Sequence, residues 1–540
     1  MVAVCCVFVC RCVIRPRRRE AKLSQPSARR RALARSSAML RHRWRRTLAV
    51  TAAATVSTAT ASSVNSAVSR STIEAPVILS SSGKPLPATL LQVQTTFRHG
   101  ARTPVTDDGC NDSVKWTVEE TNKSALLASK AAAVSLVRPN GDVIDPARLF
   151  RRSSQQLNGG GEAGRLTKIG LEQGLALGRE LRSRYVDSRV TQFGDASSST
   201  LLPSGWSAAQ RRVYPRSTCV ERTVYTCAGV LGGLFPELGN NPDAPTVDIQ
   251  LNTAENDAGA EYMVLNDSQC PRLSTLFAQG LSLSTKNLDD EQKECISLIE
   301  KNSKWTCNSA EWTLITYRDW YACRVTAGKQ VPDAVQAVAE RLDAATTKQM
   351  NHIFEGGAPF TNKPEATRTE SLKLSTGRMW SRILSTINQP DGGLHLYSGH
   401  DWTVSPLLLC ITRHDDPVHL RWPPFCSNLS FELWSTRQEE QRDQPLNAVD
   451  CNVLPSSTSE SKRDEGHHVR CVYNGRVVDL ACAPRGQETC SLSDFKAMVR
   501  KYTLAEGWAA ACRGRSHEEE DKEVVPGGGD ERVDSPRFNR

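Results

Sequence analysis

No stretch of this 540-residue chain reaches the roughly 18–20 apolar residues needed to span a bilayer, which excludes a transmembrane helix. None of its 18 cysteines forms a CxxC pair, so the count does not encode a zinc site. No segment repeats, which excludes solenoids and propellers. Acidic residues are absent from Ala21 to Ile73, where Arg, Ser, Ala and Thr dominate.

The net charge of +9 is therefore unevenly placed. Residues 1–85 hold sixteen Lys and Arg against only Glu20 and Glu74, whereas residues 86–540 hold 52 bases and 57 acids. Nucleic-acid binding needs a basic face, so the mildly acidic body is not expected to bind DNA or RNA. The arm 1–85 has the composition of a mitochondrial transit peptide. A secretory reading also stands. In it Met39–Arg46 is a basic region, Thr47–Ala61 a weak apolar run and Ala59-Thr60-Ala61 a cleavage-like site. The short apolar run Val2–Val9 is a poorer signal because no basic region precedes it. The arm is thus expected to target a mitochondrial or a secretory, lysosome-like compartment, with Met39 a candidate start.

Four cysteines lie in the arm and fourteen run from Cys110 to Cys512. That even, dispersed set fits disulfides formed in an oxidising compartment. Buried free thiols packing as small apolar residues are the alternative. Asn111, Asn122, Asn266 and Asn428 stand in glycosylation sequons.

What the sequence does contain is the heptad Arg98-His99-Gly100-Ala101-Arg102-Thr103-Pro104, after the alternating run Leu91–Phe97. Such alternation predicts a half-buried strand. The following Gly and Pro end it, setting two guanidiniums and an imidazole in one loop at its carboxyl end. Ligands bind at that edge of open α/β sheets. Two cations flanking an imidazole repel a metal but suit a phosphate dianion. Further elements are expected as helices over Thr167–Tyr185, Cys219–Phe235, Ala334–Ala344 and Glu370–Ile387. Strands are expected at Gly393–Gly399, Leu429–Trp434 and Val469–Tyr473. Residues 237–330 read as an irregular, cysteine-bearing cap, 437–466 as a polar loop and 513–540 as a disordered charged tail. Two more charged segments follow strands: Tyr214-Pro215-Arg216-Ser217-Thr218, and Ser398-Gly399-His400-Asp401 leading into a helix.

The RHGARTP heptad, the GRLTKIGLEQGLALGRELRSRY helix, YPRST and SGHD together resemble the histidine acid phosphatases, branch 2 of the histidine phosphatase superfamily. RWPPF, NLSFELW, VYNGRVV and KYTLAEGWAAAC are most similar to their lysophosphatidic acid phosphatase type. The resemblance implies a three-layer α/β sandwich around a mixed, mostly parallel sheet, with a phosphoglycerate-mutase-like core. It implies a domain over 86–512, carrying helical cap insertions near 105–160 and 237–330. It also implies a phosphomonoester hydrolase needing neither cofactor nor metal. His99 is the expected nucleophile and Asp401 the proton donor, while Arg98, Arg102, Arg216 and His400 bind the phosphate. Asp401 is expected protonated, giving an acidic optimum. The expected substrate is a small phosphomonoester or a lysophospholipid. An inositol-polyphosphate or sugar phosphatase of the same branch is the alternative, and a catalytically silent phosphate-binding scaffold is the rival of another class. Trp402 stands where many relatives carry a small hydroxyl residue.

Overall fold

The central strand, β1 (Thr89–Arg98), carries the heptad's first arginine at its carboxyl end. In the computed structural model the described residues are 73–513, except 80–82, 107–113, 147–149, 151–154, 188–189, 192–199, 240–242, 253–260, 308, 390–391, 414, 437–463 and 505–506. The basic arm before residue 73, Met39, most of the polar loop, Asn111 and the tail from 514 lie outside them.

The other strands of the main sheet are β2 (Val134–Val137), β3 (Val143–Ile144), β4 (Val213–Ser217), β5 (Val247–Leu251) and β6 (Gly393–Gly399). After them come β7 (Asn428–Ser435), β8 (His467–Tyr473), β9 (Arg476–Val477) and β10 (Thr489–Ser491). Their spatial order is β9-β8-β7-β1-β6-β4-β5-β2-β3, with β10 added to β8. The run from β1 through β6, β4 and β5 to β2 is parallel, and β7 to β10 and β3 are antiparallel. The sheet is therefore mixed, with a parallel centre.

Helices α1 (Lys168–Arg182) and α2 (Glu221–Leu234) cover one face, packing Leu177, Leu181, Val224 and Val230 on Val93, Phe97, Leu394 and Leu396. The other face takes α7 (Pro364–Ile387), α8 (Asp401–Ile411) and α9 (Leu492–Arg500), through Trp380, Ile383, Val404 and Phe495. This is the expected three-layer sandwich. The strand β1 is not half-buried, however, but buried on both faces. Its polar positions still have partners: Gln92 and Gln94 donate to the Thr386 and Ile383 carbonyls of α7, both at 3.0 Å. The alternation therefore marks which helix layer each side chain meets.

Between β5 and α7 lie α3 (Pro271–Lys286), α4 (Asp290–Asn302), α5 (Thr313–Thr326) and α6 (Ala339–Phe354). Three of these helices and their connections enclose a separate core of Ile299, Trp305, Leu314, Tyr317, Trp320 and Leu342. The segment read as irregular is thus largely helical. A capping box at α4, Asp289 with Gln292, is the sequence signal for it. The expected insertion bounds also shift. Strand β5 lies inside 237–330 yet belongs to the sheet, as do β2 and β3 inside 105–160. At the amino end, Ile78–Leu79 pairs with Pro85–Leu86 and Ile78 enters the core, so residues 73–85 are not part of a detached arm.

Disulfides join Cys270 to Cys512 and Cys482 to Cys490, while Cys227, Cys295, Cys323, Cys410 and Cys471 are buried free thiols. Disulfides and buried free thiols thus each account for some of the described cysteines. Asn428 is buried at the start of β7, which leaves no room for a glycan there. No helix among the described residues is long and apolar enough to cross a membrane.

Candidate active site

Strands β1 and β6 run side by side in parallel, with Arg98 opposite Gly399. Their carboxyl ends therefore deliver the RHG and GHD segments to one place, and the His99 backbone N–H donates to the Gly399 carbonyl at 3.0 Å. The loop after His99 is then tied down amide by amide. Gly100 N–H donates to Thr226 Oγ1 of α2 and Ala101 N–H to Gln173 Oε1 of α1. Gly100 and Gly170 meet backbone to backbone, a closeness that a Cβ on either would prevent. Because these amides are occupied, a bound anion would rely on side chains.

His99 is 2% exposed, and its Nδ1 lies 2.8 Å from the Gly100 carbonyl oxygen. A carbonyl only accepts, so Nδ1 carries the proton and Nε2 keeps its lone pair. Burial holds the imidazole pKa well below its ordinary value, and Arg222, Arg98, Arg102 and His400 push the same way. These influences favour the neutral ring, the form whose Nε2 lone pair a nucleophile would use.

Three arginines surround it: Arg98, Arg102 and Arg222. Each has a buried Nε–H with no hydrogen-bond partner among the described residues. Burial and mutual repulsion lower Arg98 to about 10 and Arg222 to about 9. Burial also acts on Arg102, but Asp319 of α5 outweighs it and raises that pKa, the two side chains meeting at 2.7 and 3.2 Å. All three remain cationic at acidic and neutral pH.

Arg216, expected as the third clamp, does not join this group. Its guanidinium is held by Asn252 at 2.9 Å and Glu261 at 3.3 Å and lies 3.9 Å from the ring centroid of Tyr262. Arg222, in the first turn of α2, is instead the cation that acts most strongly on His99. A signal for it was present in the sequence. A cation in a helix's first turn opposes the macrodipole and needs some other reason to be there.

His400 caps α8 and its Nε2 lies 3.1 Å from Thr218 Oγ1, with its ring centroid 5.5 Å from that of His99. Asp401 begins α8. Its Oδ1 accepts the Trp402 backbone N–H at 3.0 Å, and its Oδ2 accepts the indole N–H of Trp422 at 2.9 Å. Arg98 NH2 is also 2.9 Å from Oδ2, an ion pair whose N–H does not point at the oxygen. Burial works to raise the Asp401 pKa, but Arg98, Arg102, the indole N–H and His400 outweigh it and hold it near about 2. These neighbours therefore favour the carboxylate over the expected protonated acid. An anion bound beside it would push that pKa back up.

Residues 421–427, noticed in the sequence only for their likeness, form the site's back wall. Arg98 NH1 donates to the Pro423 carbonyl at 2.6 Å, and its guanidinium lies 4.3 Å from the Phe425 ring centroid. Cys426, with a left-handed φ of 58°, donates its N–H to the His99 carbonyl, and the Ser427 carbonyl accepts from Arg98 N–H. Trp402 faces the cap: it stacks with Trp312 and meets Phe277 and Phe354 edge-on.

Residues 89–474 match the family described as "Histidine phosphatase superfamily (branch 2)". The chain is similar to lysophosphatidic acid phosphatase type 6 of Bos taurus, 26% identical over 65% of this chain and 75% of the relative. It is 25% identical to counting factor 60 of Dictyostelium discoideum, over 65% and 78% of the two chains. With a probable acid phosphatase of Schizosaccharomyces pombe it shares 24% identity over 76% and 91%. Among solved structures, a Hafnia alvei phytase with tartrate aligns over 79% of this chain and 99% of its own, at TM-score 0.46 and 13% identity. Since the family match takes in well over half of the sequence, this chain belongs to branch 2 of the histidine phosphatase superfamily, the histidine acid phosphatases, and is a phosphomonoester hydrolase.

Proposed function

We propose that the protein cleaves phosphomonoesters in two steps through a phosphohistidine on His99, with a lysophosphatidate-like lipid as the preferred substrate. The observation that carries the first part is the Nδ1–H donation to Gly100. It leaves the Nε2 lone pair among three arginines with unpartnered Nε–H groups. In the first step Nε2 bonds to phosphorus, the P–O bond to the leaving alcohol breaks, and the Asp401 proton goes to that oxygen. In the second, water attacks phosphorus, Asp401 takes its proton, and the P–N electron pair returns to His99. Splitting the transfer lowers each barrier. Arg98, Arg102, Arg222 and His400 offset the charge on the non-bridging oxygens throughout.

Two observations support a lipid. Several similar proteins are named lysophosphatidic acid phosphatases. The residue after Asp401, Trp402, stacks with Trp312 of the cap, both half-buried, an aromatic pair next in sequence to the proposed proton donor that suits an apolar leaving group.

Rapid quenching into alkali with radiolabelled substrate tests the chemistry. An acid-labile, base-stable phosphoprotein is expected, and it should vanish in His99→Ala; turnover without it would exclude the covalent route. Rates on lysophosphatidate, inositol hexakisphosphate and a phosphosugar, from one preparation, test the substrate. A preference for either polar ester removes the lipid proposal and leaves the chemistry standing.

A further inference from the structure

The tryptophan behind Asp401 has no role in the chemistry above, yet its indole is built into the site. Trp422 is 5% exposed and stands in the short link before β7. Its backbone N–H donates to Asp343 Oδ2 of α6 at 3.2 Å. Its ring lies beneath the Arg318 guanidinium of α5, 5.6 Å from the ring centroid, and Arg318 is paired with Asp343 at 3.0 Å. Two cap helices therefore fix the ring, and the ring aims Nε1–H at Asp401 Oδ2, 2.9 Å away.

An indole N–H donates and never accepts. The same is true of the Trp402 amide on Oδ1 and of the Arg98 guanidinium beside Oδ2. A proton on Asp401 can thus occupy only a lone pair that these donors do not use. When Arg98 turns to a bound phosphate, the indole still holds its side of Oδ2. The carboxyl group then keeps one orientation, and a proton is left to the lone pairs that these donors do not use.

We propose that Trp422 is a positioning residue for the proton donor: its indole N–H fixes the Asp401 carboxyl so that the acid proton faces the departing ester oxygen. This rests on the phosphohistidine reading with Asp401 as acid. The other charged groups facing Asp401 are Arg98 and Arg102 from β1 and its loop, His400 at the start of α8 and Arg222 of α2. None of them would be changed by replacing the indole.

The test uses the full chain with Trp422→Phe, which keeps a ring and loses the N–H. Alkyl phosphates, whose alcohols leave poorly without a proton, should slow by roughly 10-fold or more, part of the 10²–10⁴ typical of general acid catalysis. Para-nitrophenyl phosphate, whose phenolate leaves unaided, should slow by less than about 3-fold. In an Asp401→Asn background the Trp422→Phe change should add little, because both act on one proton. Equal losses on both esters, or the same additional loss in the Asp401→Asn background, would mean a merely structural tryptophan and overturn the inference. Should Trp422→Phe not fold, ¹⁵N-indole spectra decide. Asp401→Asn should displace one indole N–H resonance, and an unmoved spectrum would be the contrary result. If no phosphoenzyme forms even with the unmodified chain and the aryl ester, the underlying chemistry fails instead.

Discussion

The charge of His99 follows from its neighbours. Burial disfavours a second proton, three guanidiniums repel it, and the Gly100 carbonyl assigns the one that remains. Arg222 is the largest of the charged contributors, although the sequence pointed to Arg216. The two make opposite predictions. Arg222→Ala should weaken inhibition by orthophosphate and lower kcat/KM by on the order of 100-fold, as for loss of one preorganised donor at a developing charge. Arg216→Ala should leave phosphate inhibition within about 3-fold and act mainly on stability, by unpairing Glu261. Steady-state kinetics with phosphate as inhibitor distinguish them, and a larger kinetic effect at Arg216 would reverse the assignment. The two arginines are six positions apart in one strand-turn-helix unit. Type and spacing alone do not separate them, because strand alternation and helix phase decide which one reaches His99.

Among the elements, α1 matters for the site beyond its place in the core. Its glycine at position 170 lets the RHG loop rest directly on the helix. Gly170→Ala would push a methyl group into the Ala101 carbonyl and should cost about 1–3 kcal/mol, as overpacking does. Activity should fall further, since the displaced loop carries His99. Gly205→Ala is the control: no atom lies within 4 Å of its Cβ position, and a change under about 0.5 kcal/mol is expected. Urea midpoints and activity per folded molecule check both, and a stable, fully active Gly170→Ala would refute the packing argument. Helix α1 and strand β6 follow periodicity and were legible from sequence, since their apolar positions repeat at the spacing of the elements they form. The cap helices were less so, because their apolar faces are broken by polar residues and their core closes only when three of them meet.

For the molecule as a whole, pH acts through buried neutral histidines. Burial holds His99 well below its ordinary range, sets His352 and His395 near about 4, and lowers His468. Unfolded, each would titrate near about 6.5. The unfolded chain therefore binds more protons below that pH, and stability should fall as pH drops from about 6.5 to 4. Below about 4 the depressed carboxylates Asp401 and Glu432 extend the loss. Thermal midpoints between pH 7 and 3 should decline throughout, and His395→Gln should flatten the upper part. A midpoint that is constant or rises from pH 7 to 4 would contradict this. The disulfide between Cys270 and Cys512 ties residues 242 positions apart and does not titrate, so its contribution is not lost over this range.

The sequence alone determined the family and where its two histidine segments lie. An alternating strand ending in Arg98-His99-Gly100, and a second ending before His400-Asp401, carry enough local information because strand ends and turns are set by nearby residues. Only the tertiary structure decided that Arg222 outweighs the other cations acting on His99 and that the groups around Asp401 lower its pKa. Only it placed Trp422 and Asp319 against the site. Those outcomes depend on burial, on charge summed over several elements and on contacts between residues that lie far apart in the chain. No local pattern encodes such distances.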